Sequence, residues 1–85
     1  MRAHTRRKRM ESALDDYMMM MMRKRQIIND TIEYGVDTED NDIYSWNFVC
    51  NHVTNPESKY VYKIMYDKRD ERVIGFESHI IIEEL

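Results

Sequence analysis

The densest chemistry in this sequence lies at its start. Arg2-Ala3-His4-Thr5-Arg6-Arg7-Lys8-Arg9 carries five fixed positive charges in eight residues, a density that draws in phosphate chains by releasing their condensed counterions. Arginine suits that task, because its planar fork pairs with phosphate oxygens and stacks on bases. Arg2, Arg6, Arg7, Lys8 and Arg9 are therefore the candidate phosphate contacts. The competing reading is a solvated tail that folds back on the chain's own carboxylates.

Other reactive groups are sparse. Cys50 and His52 are two apart and would share one side of a strand, with His79 and His4 elsewhere, so a metal site has to be considered. In a three-stranded meander the first and third strands lie about 9.6 Å apart. Zinc holds its ligands at roughly 2.0 to 2.3 Å, so no metal is expected. A catalytic thiolate would need a neighbouring base in electropositive surroundings, and Cys50 falls in an apolar strand. Glu57-x-Lys59 with Asp42 upstream faintly resembles nuclease carboxylates, but Glu57 falls in a turn. With only Gly35 and Gly75 in the chain, a glycine-rich phosphate loop is ruled out. The expectation is a protein that binds rather than catalyses, without a cofactor.

Charge is unevenly distributed. Residues 1–25 hold eight bases and three acids, residues 26–85 five bases and thirteen acids, so the chain reads as a dipole. Asp30, Glu33, Asp37, Glu39, Asp40 and Asp42 follow one another without a base between them. Such an anionic stretch can occupy a groove built for nucleic acid, which makes Asp37, Glu39, Asp40 and Asp42 candidates for binding a host regulatory protein. Met18 to Met22 form a run of five methionines, which at 100° per residue occupies every side of a helix. One sheet face cannot cover them all. Met18, Met19 and Met22 are thus candidates for an adaptable docking surface or for the seam of a homodimer.

These groups must be positioned by a small set of elements. From about Arg6 to Tyr34 there is no Pro or Gly, and Met10, Leu14, Tyr17, Met21, Ile28 and Ile32 recur mostly every three or four residues, which predicts one long helix. Ser12 followed by Asp15 resembles a capping signal, so residues 1–11 are expected as a frayed basic arm before a single domain at 12–85. Gly35 suits the left-handed residue that ends helices. Beyond it the period becomes two: 43–54, 59–67 and 72–83 read as strands joined by turns at 55–58 and 68–71. The fold class expected is α+β, a helix packed on a three-stranded antiparallel meander.

Setting Thr54 opposite Lys59 and Asp67 opposite Arg72 sorts the strand residues into two faces. Trp46, Phe48, Cys50, Val61, Met65, Ile74, Phe76, Ile80 and Ile82 form the expected core. The other face collects Ser45, Asn47, Val49, Asn51, Tyr60, Tyr62, Ile64, Tyr66, Glu77, His79 and Ile81. There Tyr60, Tyr62 and Tyr66 would stack unpaired bases while Asn47, Asn51 and His79 hydrogen-bond them, a chemistry that favours RNA over duplex DNA. A slip of one residue would exchange the faces.

In element order, residues 12–84 resemble the first part of the double-stranded RNA-binding domain. That family closes with a second helix that starts Lys-rich, whereas this chain runs out at Ile80-Ile81-Ile82-Glu83-Glu84-Leu85, and no binding residue is carried over. In style the chain also resembles the small early proteins with which bacteriophages redirect a host, which implies a regulatory binder. An 85-residue chain of net charge −3 makes one small domain. The apolar run Tyr17–Met22 is too short to span a bilayer, so a cytoplasmic protein without membrane contact is expected.

Overall fold

The computed structural model describes residues 2–81, with side chains from Thr5 onward. Helix α1 (Arg2–Lys24) is followed by a short 3-10 turn at Asn29–Thr31 and by five strands: β1 (Glu33–Tyr34), β2 (Thr38–Glu39), β3 (Ile43–His52), β4 (Asn55–Asp67) and β5 (Arg72–Ile81). All pairings are antiparallel, in the order β1-β3-β4-β5 with β2 also on β3. The molecule is α+β as expected, with two short strands more than the meander. β2 comes from the acidic stretch beyond Gly35, and β1 from the end of the segment expected as helix.

Met10, Leu14, Met18 and Met21 lie in one stripe along α1 and are buried, which is the repeat an amphipathic helix needs to cover a sheet. Met22 packs on that core at its edge, while Met19 and Met20 remain exposed. Of Met18, Met19 and Met22, expected as a docking surface, Met19 alone is exposed, with Met20 beside it. The helix starts earlier than Ser12, at Arg2, and takes in the basic segment expected as an arm. It also ends ten residues before Tyr34. Gln26 adopts a positive φ of 53°, its N–H donates to the Arg23 carbonyl, and that of Ile27 reaches back to Met22. These are the paired bonds of a left-handed helix stop. Ile27 seals it by entering the core. The terminator expected at Gly35 therefore sits at Gln26, and Tyr34 stands in β1.

Register decides which strand residues reach the helix. The first hairpin turns tightly, with His52 opposite Asn55, and an irregularity between Cys50 and His52 absorbs the next residues of β4. Pro56, which has no N–H for the ladder, falls in that irregular part. Cys50 consequently faces Tyr60 rather than Lys63, a displacement of three residues, and an odd displacement exchanges the faces of β4. The second hairpin starts in the expected register at Asp67 and Arg72, then shifts between Met65 and Tyr66 so that Ile64 faces Phe76 and Tyr62 faces Ser78.

The core beneath α1 therefore contains Tyr44, Phe48, Cys50, Tyr62, Ile64 and Tyr66, all buried, with Trp46, Tyr60 and Phe76 packed at its rim. Of the expected core, Phe48 and Cys50 are fully buried and Trp46 and Phe76 half-buried. Val61 and Met65 lie in register on the opposite face, Ile74 and Ile80 are exposed, and Ile82 lies outside the described residues. No helix among the described residues is long and apolar enough to cross a membrane.

Candidate nucleic-acid interface

Three segments distant in sequence meet at the amino-terminal end of α1. The helix contributes Arg6, Arg7 and Met10, β2 contributes Glu39 and the loop after it Asn41, and the end of β4 with its turn contributes Tyr66, Lys68, Arg69 and Glu71. Together they line a cleft of about 560 Å³. Four cations face it against two carboxylates. Each is placed by local chemistry: the Asp67 carboxylate accepts from the backbone N–H groups of Arg69 and Asp70, which folds the turn, and the same bonds hold its pKa below the ordinary aspartate value. Glu71 closes the turn with a positive φ of 54°.

The cations are held unequally. Arg6 and Arg9 both reach Glu71, at 3.7 and 3.3 Å, from well-exposed positions, and exposed pairs of this kind contribute roughly 0 to 1 kcal/mol. Arg7 donates to the Tyr44 hydroxyl at 3.3 Å and lies 5.5 Å from its ring centre. Tyr44 in turn donates to Asp37. The hydrogen bond to Tyr44 raises the already high pKa of Arg7, and the bond to Asp37 raises that of Tyr44. Lys68 is the most committed, to Glu39 at 2.8 Å and to the Asp40 carbonyl at 2.6 Å. Lys8 is exposed on the helix, and the side chains of Arg2 and His4 lie outside the described residues.

The remaining expected contacts divide sharply. Tyr62 is 0% and Tyr66 3% exposed, so neither ring can receive an external base, which corrects the stacking face. Tyr62 stacks on Phe48 with ring centres 5.1 Å apart, and its hydroxyl meets His52 Nε2 at 2.7 Å. Half-buried Tyr60 has one ring face flat on His52 at 3.7 Å. The cause is the register: with β4 turned over, its tyrosines face the methionines. Asn47 and Asn51 spend their amide groups on the backbone carbonyls of Val36 and Pro56. His79 is exposed opposite Val61 on the far face of the sheet.

The acidic residues do not form a separate surface either. Asp37 bonds Tyr44, Glu39 pairs with Lys68, and Asp40 caps its own turn by accepting from the N–H groups of Asp42 and Ile43, bonds that lower its pKa. Asp42 is exposed and takes the Lys68 N–H on its carbonyl. Asp37, Glu39 and Asp40 thus meet the bases at the start of α1 and in the β4–β5 turn at one end of the molecule.

Lys68, Arg69 and Glu71 are members of the cleft that the sequence does not single out. The turn at 68–71 is legible, but its proximity to the helix start depends on helix length and sheet direction together. Burial pushes the Cys50 thiol up to about 11, which leaves it unreactive, and no group of three or more His, Cys, Asp or Glu among the described residues is placed to hold a metal ion. Comparison with protein-family models, with curated proteins and with solved structures finds no match to this chain, so its site is read from its own residues.

Proposed function

We propose that this protein is a non-enzymatic regulatory binder of nucleic acid that grips the sugar-phosphate chain with Arg6, Arg7, Lys8, Arg9 and Arg69. The observation that carries the reading is the convergence of cations from the helix and the β4–β5 turn on one cleft. The carboxylate opposing Arg6 and Arg9 is the exposed Glu71, and a pair so weak yields readily to a polyanion. Phosphate contacts of this kind fix position without reading sequence. The preference for unpaired RNA rests on Tyr60, Tyr62 and Tyr66 and loses the support of the two buried rings, Tyr62 and Tyr66; RNA remains a partner through its phosphates. A host protein as target of Asp37, Glu39 and Asp40 has less support, because each of these carboxylates already serves a bond within the fold.

The test is fluorescence anisotropy with a labelled single-stranded RNA and its duplex. Arg6→Ala, Arg9→Ala and Arg69→Ala combined should weaken both complexes to a similar degree, with the far-ultraviolet spectrum unchanged. Equal affinity of the folded triple variant and the native chain would overturn the proposal.

A further inference from the structure

The two edges of the sheet differ in kind. On one side β3 is covered by β1 and β2, two-residue strands interrupted at 35–37, a short and broken edge of the sort that resists further pairing. The other edge is β5, ten residues long, which among the described residues pairs only with β4. It carries Ile74, Ile80 and Ile81 exposed. An edge that is long, extended and apolar is a template for another strand.

We infer that the occupant is β5 of a second copy, paired antiparallel about Ser78. A two-fold axis normal to the sheet must set one residue opposite itself, so the possible centres can be compared. Centring on Glu77 would place two carboxylates face to face, which is unfavourable, and centring on His79 leaves Glu77 opposite Ile81. Centring on Ser78 places Glu77 opposite His79 twice, Phe76 opposite Ile80 twice and Gly75 opposite Ile81 twice. Hydrogen bonding and shape are then both self-complementary: each Glu77 carboxylate can accept from the ring N–H of the opposite His79 on the open face, while the Phe76 and Ile80 pairs share the face of α1. Gly75, with a φ of 149° and no atom within 4 Å of where a Cβ would stand, leaves room for the Ile81 chain.

The same axis places both helices on one side of a continuous sheet. Tyr17 packs on Phe76 of β5, with ring centres 6.4 Å apart, and Met20, one turn further along, shares the flank of α1 nearest that strand. Exposed Met20 therefore turns toward the two-fold axis. This reading is independent of nucleic-acid binding and does not need it.

Cysteine cross-linking combined with light scattering tests it. Cys50 is buried, so an introduced thiol is the reactive one. Under mild oxidation Ser78→Cys should form a disulfide-linked dimer, because the two sulfurs would face each other across the axis, while Glu77→Cys and His79→Cys, displaced from their own copies, should remain unlinked. Native protein at tens of micromolar should scatter as twice the 10.4 kDa chain mass. His79→Glu should halve that mass by opposing Glu77, and Glu77→Lys combined with His79→Glu should restore it. A monomeric native mass, or cross-linking through Glu77→Cys and not Ser78→Cys, overturns the inference.

Discussion

The His52 ring is engaged on two sides, flat against Tyr60 and within hydrogen-bond distance of Tyr62. Burial first, and the charge of Arg25 second, hold its pKa below 6.5. The unfolded chain thus binds a proton at His52 more readily than the folded one, so the contribution of this residue is fully present above pH 6.5 and is lost as pH falls through the depressed folded value. The melting temperature should drop between pH 7.5 and 5.5, and His52→Gln should flatten that dependence; an unchanged slope in the variant contradicts the assignment. Glu71 is a second informative residue, since it adopts a left-handed conformation that Asn tolerates better and it restrains Arg6 and Arg9. Glu71→Asn should leave the melting temperature level or raised while tightening RNA binding, measured by anisotropy at low salt. Weaker binding would show that the carboxylate organises the cations rather than masking them.

Among the elements, α1 is the one whose interior and end obey different signals. Leu14 is fully buried at the centre of its stripe, and Leu14→Ala should cost about 2 to 5 kcal/mol in urea denaturation. Gln26→Gly, at the left-handed residue after the helix, should stabilise by about 0.5 to 1 kcal/mol. A loss of stability there would mean that the Gln26 side chain has a role that its backbone angle does not reveal. The buried stripe was legible because Met10, Leu14 and Met21 recur at helical spacing. The end was not, because a glutamine in the left-handed region carries no sequence signature, whereas Gly35 does. The three long strands were likewise legible from their alternation, and the turn at 68–71 from its polar run. Their faces were not, since Pro56 reads as turn chemistry yet lies within β4, and one odd displacement moved Tyr62, Ile64 and Tyr66 from the open face into the core. The cationic residues of the helix were visible in the sequence, but their neighbours Lys68 and Arg69 became visible only with the topology in hand.

At the scale of the molecule, the principal extents are 49 × 24 × 18 Å, with the basic cleft at the end where α1 begins. The carboxylates Asp37, Glu39 and Glu71 stand at that same end, so a polyanion must displace weak internal pairs to enter. Attraction of this kind is strongly salt-dependent, because the pairs are exposed and the screening length is only about 8 Å at physiological ionic strength. If two copies join through β5, their turns point in opposite directions from Ser78, which puts the two clefts on the order of 45 Å apart along the strands. Two sites held at a fixed span would bind a long nucleic acid more tightly than a short one of the same composition.

The dependence of RNA affinity on salt, compared between the native chain and the Arg6→Ala, Arg9→Ala and Arg69→Ala variant, tests the central claim most directly. Each phosphate contact contributes roughly 0.7 to 0.9 to the slope of log affinity against log salt, so the native protein should show a steep decline and the variant a slope shallower by about 2 to 3. A native affinity insensitive to salt, or identical slopes for the two proteins, would contradict the account.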